Sequence, residues 1–121
     1  DNPAIPDKHK TAAQLLERAL RFAPEPTAYV ALGALLQQHK RYEEAGHILA
    51  TGLGHFPRNP DLAMSLAVSL MNQGHLQAAL GYLKPLAHLP EALHLSAVCH
   101  HHLGDTAKAE QIMAELQHGE S

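Results

Sequence analysis

An all-α solenoid of stacked helix pairs is the fold this 121-residue sequence predicts, and three observations carry the prediction. Apolar residues make up 45% of the chain but aromatics only 4%, and Trp is absent, so alanine and leucine must do the packing. Those residues suit closely approaching helices, whereas strands favour β-branched and aromatic side chains. Second, Pro26 and Pro60 open matching strings 34 residues apart, and internal repetition at such a period is the mark of stacked supersecondary units. Third, a further copy opens at Pro90, and Gly74 and Gly104 stand where the first helices of copies two and three should stop.

Taken in chain order, residues 1–7 within "DNPAIPDK" hold two prolines and no periodicity, and read as the tail of a linker. The chain starts with Asp1 and shows no signal-peptide pattern, which suits a piece of a longer protein. Residues 8–22 carry Ala12, Leu16, Ala19 and Leu20, followed by Pro24, matching the second helix of a unit whose first helix is missing. The first full unit, 26–59, reads as helices over about 27–39 and 42–56. The second, 60–89, reads as helices over about 60–73 and 76–88. Here the spacing to the next unit shrinks to 30 residues, a loss of about one helical turn, and Pro85 falls inside the second helix, where it should kink or end it. The third unit, 90–118, reads as helices over about 90–103 and 106–118, leaving 119–121 as a tail.

Superposing the copies aligns Leu32 with Leu66, Gly33 with Ala67 and Ala97, and Ala45 with Ala79 and Ala109. Small residues at these places let two helices cross closely, and a bulky side chain would force them apart. The set Tyr29, Leu32, Gly33, Leu36, then Tyr42, Ala45, Leu49, Gly52 and Pro57 resembles the tetratricopeptide repeat family. Copy two follows with Leu66, Ala67, Leu70, Gly74, Ala79, Leu83 and Leu86; copy three departs most, because His100 stands where the family has Tyr or Leu. The resemblance covers about residues 8–118. It implies a tetratricopeptide-type solenoid of about three helix-turn-helix units plus an extra N-terminal helix.

The resemblance also implies a concave groove lined by the first helix of each unit. Its expected positions are Thr27, Val30, Ala34, Gln37 and Gln38; Asp61, Met64, Val68, Met71 and Asn72; and Glu91, His94, Val98, His101 and His102. Helical spacing independently places Met64, Val68 and Met71 on one face. The family's clamp for acidic chaperone tails needs Lys, Arg and Asn, but none of these positions is Lys or Arg and only Asn72 is Asn. What remains is a mildly apolar surface whose methionines suit a peptide or helix of a protein partner, unless they pack against a neighbouring helix of the chain. Val30, Ala34, Gln37, Met64, Val68, Met71, Asn72, His94, Val98, His101 and His102 are the expected binding residues. Binding is expected to change between about pH 7.5 and 5.5 through His94, His101 and His102.

Chemistry-bearing motifs are scarce. No Walker loop, G-x-G-x-x-G or G-x-S-x-G occurs, and the glycines of "TGLGHF" fall in the last turns of a helix. Glu43 and Glu44 are neighbours and point about 100° apart on a helix. "CHHH", Cys99 to His102, invites a metal or a thiol–imidazole dyad, yet adjacent helical side chains diverge. No two of the eleven histidines lie three or four apart, so no helix supplies a paired-histidine site. Cys99 is expected to be buried and inert, and His100 semi-buried in place of a packing aromatic. No metal or cofactor is expected.

A net charge of −3 argues against a nucleic-acid partner, and no apolar run reaches the roughly 20 residues of a membrane-spanning helix. The reading is therefore a non-catalytic interaction module, a cytoplasmic or periplasmic domain of a larger bacterial protein serving assembly, secretion or pilus and envelope biogenesis. Two alternatives stand beside it: a regulatory domain of a larger enzyme, and a unit that self-associates through exposed end helices. The last expectation rests on Ile112, Met113 and Leu116 at one end and on the orphan helix at the other.

Overall fold

A computed structural model describes residues 8–119 of the chain, with side chains described over 14–118. The linker-like segment 1–7 and residues 120–121 of the expected tail lie outside the described residues. Among the described residues seven α-helices follow one another: α1 (Lys8–Phe22), α2 (Pro26–Gln38), α3 (Tyr42–His55), α4 (Pro60–Asn72), α5 (Leu76–Leu83), α6 (Pro90–His102) and α7 (Thr106–Gly119). Among the described residues there is no strand. The chain divides into two compact units, Asp1–Ser65 and Leu66–Ser121, the division falling inside α4.

In the first unit, α2 packs on α3 and α1 packs on α2. Leu32, Leu36 and Ala45 form the buried centre, and Leu16 and Leu20 of α1 lie against it with Leu35 and Ile48. Helix α1 is thus held through Leu16 and Leu20. At the α2–α3 crossing, a Cβ on Gly33 would meet Leu49 Cγ at 2.7 Å. One turn along α3, a Cβ on Gly52 would meet Tyr29 Cγ at 2.6 Å. These two glycines set how closely the helices approach.

In the second unit, α5 packs on α6 and α6 on α7. Ala97, Ala109 and Ile112 are buried together, flanked by Leu93 and Leu116. This corrects one expectation from the sequence. Ile112, at 6% exposure, is covered by α6, because α7 folds back with Ile112 on its inner stripe. Met113, the next residue and about 100° around the helix, stays 39% exposed, and Leu116 is half-buried. The expected small residues Ala67, Ala79, Ala97 and Ala109 are all buried.

Pro85 acts where it was expected to. The Lys84 N–H still donates to the Leu80 carbonyl, but proline has no N–H for the next bond, so α5 ends at Leu83 after only eight residues. The chain then tightens into a 3₁₀ turn, Lys84–Leu86, with Ala87 N–H donating to the Lys84 carbonyl at 3.2 Å.

The three first helices stop in the same way. After α4, Gly74 is left-handed (φ 86°); its N–H donates to Met71 O at 3.0 Å and His75 N–H to Leu70 O at 2.8 Å. After α6, Gly104 (φ 88°) repeats the pattern, with His101 O at 3.0 Å and Asp105 N–H to His100 O at 2.8 Å. This pair of bonds is the Schellman motif, which needs a left-handed residue just past the helix. After α2 the same two bonds form, to Gln37 O and Leu36 O, both at 2.9 Å. The left-handed residue there is Lys40, with φ 60° and a side chain that glycine lacks.

Candidate functional site

Each first helix buries one stripe and leaves another. On α2, Tyr29, Leu32, Gly33 and Leu36 are buried, while Val30, Ala34 and Gln37 recur at i, i+4 and i+7 on a separate stripe. On α4, Leu62, Ala63, Leu66, Ala67 and Ser69 are buried, while Met64, Val68 and Met71 share the corresponding stripe, with Asn72 beside it. On α6, Ala92, Ala97 and Cys99 are buried, and His94, Val98 and His101 recur in the same register, followed by His102. Ala34, Asn72, His94, His101 and His102 are exposed; Val30, Gln37, Met64, Val68, Met71 and Val98 are half-buried.

The "CHHH" segment separates into distinct roles. Cys99 is fully buried, and burial pushes its thiol above the ordinary range, so it stays protonated and unreactive at neutral pH. His100, with 21% of its side chain exposed, turns its Nδ1 toward Asp105 Oδ2 at 3.8 Å. Asp105 also caps α7, its Oδ1 accepting from Lys108 N–H at 3.2 Å. His101 and His102 are exposed, with ring centroids 5.6 Å apart at 65°. No group of three His, Cys, Asp or Glu side chains converges among the described residues.

Glu43 and Glu44 lie in the first turn of α3. Glu44 accepts from Arg41 in a fork, Nε to Oε1 at 2.5 Å and Nη2 to Oε2 at 2.6 Å. That hydrogen bond holds the Glu44 carboxyl below its usual range.

Several features are ones that the sequence reading missed. Asn59 Oδ1 accepts from Leu62 N–H at 3.0 Å and so caps α4. An Asn directly before Pro60 is a legible capping signal. Ser69 is fully buried and Gln73 reaches it, donating to Ser69 O at 3.2 Å. Lys40 aligns with Gly74 and Gly104, so the repeat register points to its left-handed backbone. A trough of about 910 Å³ in the second unit runs between the start of α6 and the end of α7, and includes His94. Only the pairing of those two helices could place it.

Paired antiparallel helices with small residues at the crossings and recurrent helix stops define a helical-repeat protein. The sequence narrows this further: residues 35–88 match the family model for the tetratricopeptide repeat, which supports a tetratricopeptide-type repeat and, with it, a protein-interaction scaffold. No curated protein shows a significant match to the chain. Among solved structures the fold is similar to MamA MSR-1, with TM-score 0.74 and 22% identity over 95% of this chain and 71% of that one. It is also similar to MamA from Desulfovibrio magneticus RS-1, residues 41 to the end, with TM-score 0.80 and 14% identity over 92% of this chain and 66% of that one. A third, MamA AMB-1, gives TM-score 0.73 and 22% identity over 90% and 67%. At these identities the likeness is one of fold.

Proposed function

We propose that the chain is a non-catalytic scaffold that binds a peptide or helix of a partner protein on the partly exposed stripes of its first helices. The observation that supports this reading is the repeated register. Val30–Ala34–Gln37, Met64–Val68–Met71 and His94–Val98–His101 occupy equivalent places, and none of these side chains is fully buried. Residues that served only the core would be buried here, as Leu36 and Leu66 are in their own stripes. Methionine and valine offer adaptable apolar contact, and the exposed His102 adds a hydrogen-bonding group beside it. A place in a larger bacterial assembly, secretion or envelope-biogenesis protein follows by analogy of fold class and belongs to the proposal.

The test is substitution on the half-buried α4 stripe. Met71→Glu places a charge on the proposed surface, and the expected result is at least about a tenfold loss of affinity for a selected peptide, the scale of one apolar anchor. Helical circular dichroism should remain unchanged. Unchanged affinity with unchanged helicity would remove the α4 stripe from the binding surface.

A further inference from the structure

We infer that the first unit carries a second binding site, a pocket between α1, α2 and α3 that takes an arginine side chain of a partner protein. An apolar cleft and the carboxylates that flank it carry the inference together.

The pocket measures about 440 Å³, and all its walls belong to the first unit. Leu32 and Leu36 of α2 and Ile48 of α3 supply its apolar lining. Those two leucines belong to the buried stripe of α2, so the pocket is separate from the Val30–Ala34–Gln37 stripe. Ligand pockets span about 300 to 1,000 Å³. This one falls at the small end, where one long side chain with its adjoining backbone fits better than a helix.

Charge stands on both walls of the cleft. Glu17 of α1 lines one side, with Gln14 three residues before it on the same face, and Glu43 of α3 lines the other. Both glutamates are exposed, and neither has an ion pair or side-chain hydrogen bond among the described residues. Arg41 also lines the pocket, but it is forked onto Glu44 through Nε and Nη2. Arg18 and Arg21, further along α1, are not among the lining residues. With Arg41 matched by Glu44, the carboxylates of Glu17 and Glu43 leave the pocket negative.

These features select among ligands. A carboxylate or phosphate would be repelled. A wholly apolar group would desolvate the glutamates without giving them a partner. A metal ion needs converging ligands, and no three His, Cys, Asp or Glu side chains converge among the described residues. A long cationic side chain meets both requirements, its methylenes lying along Leu36 and Ile48 while its charged head stays at the rim. Arginine suits the pocket better than lysine, because a planar guanidinium can meet carboxylates on two sides and still donate to the Gln14 amide oxygen. The same rim already seats one guanidinium on a glutamate, Arg41 on Glu44.

The site is independent of the partner-binding proposal. Met71→Glu should leave it unchanged, so either reading can fail without the other.

Amide NMR shifts of the full chain, titrated with acetyl-Gly-Arg-Gly-amide, test the inference. Shifts should concentrate on residues 14–17, 36 and 43–48 and be absent from α6 and α7. Citrulline in place of arginine keeps the shape but removes the charge, and should weaken binding about tenfold, the scale of one charge-assisted hydrogen bond. The lysine peptide should bind more weakly than the arginine peptide. Glu17→Gln with Glu43→Gln should also lose about tenfold, and rising salt should weaken the native chain's binding. Should the double exchange alter helical circular dichroism, Glu17→Gln alone carries the test, since it leaves the α2–α3 pair untouched. No shifts, shifts spread over the whole chain, a citrulline peptide that binds as tightly, or a glutamine variant that binds unchanged would each overturn the inference. Equal binding of the lysine peptide would overturn the choice of arginine.

Discussion

Gly52 on α3 lies directly over the ring of Tyr29 on α2, so closely that a Cβ there would stand 2.6 Å from Tyr29 Cγ and 2.9 Å from its Cβ. The ring has nowhere to retreat. It is 5% exposed, stacked on His55 with centroids 6.2 Å apart and met edge-on by Phe56 at 6.4 Å. Gly52→Ala should therefore cost about 1 to 3 kcal/mol by overpacking, despite alanine's better helix propensity. Gly54, in the same helix, has nothing within 4 Å of its virtual Cβ, so Gly54→Ala should be neutral or stabilise by up to about 1 kcal/mol. Urea denaturation of the two variants checks the contrast.

Lys40 bears the cost of a left-handed backbone that Gly74 and Gly104 take without strain. Lys40→Gly should stabilise the chain by about 1 kcal/mol, the usual penalty for a side chain in that region. Gly74→Ala and Gly104→Ala should each lose a similar amount, even though neither position is crowded. Thermal melts of the three variants should show opposite signs.

Asp105 serves two neighbours, capping α7 through Lys108 N–H and facing His100 Nδ1. Asp105→Ala should cost about 0.5 to 2 kcal/mol, mostly through the lost cap, since the His100 contact is long and Asp105 exposed. His75 occupies the equivalent place before α5 and makes no capping bond with its side chain. His75→Asp should consequently gain up to about 1 kcal/mol, read in the same denaturation experiment.

Burial of Cys99 makes stability fall at alkaline pH. Its thiol is raised in the folded state, so the folded chain keeps a proton that the unfolded chain releases. The stability is therefore undiminished below the ordinary thiol range, near pH 8.5, and declines as pH rises from there toward the folded value. Cys99→Ser should flatten this alkaline loss in denaturation midpoints measured from about pH 7 to 10. In the native chain, a thiol reagent should react at a rate set by opening of the fold rather than by thiolate concentration in solution.

Much of this protein is legible along the chain. The repeat period places every helix to within a residue or two except α5, and even there Pro85 marks the break. Small residues mark the close crossings, since only Gly or Ala fits where two backbones approach.

By itself, the sequence determined a helical-repeat chain and which residues recur in register, because hydrophobic period and helix stops are local properties written along the chain. Tertiary structure alone decided which stripe of α7 is covered, so that Ile112 is buried while Met113 beside it is not. It alone joined the start of α6 to the end of α7 as an acidic apolar trough. It also decided that Tyr29 is held by Gly52, His55 and Phe56 together. Such facts depend on which faces of different helices meet, and a one-dimensional period carries the face of each helix but not its neighbour.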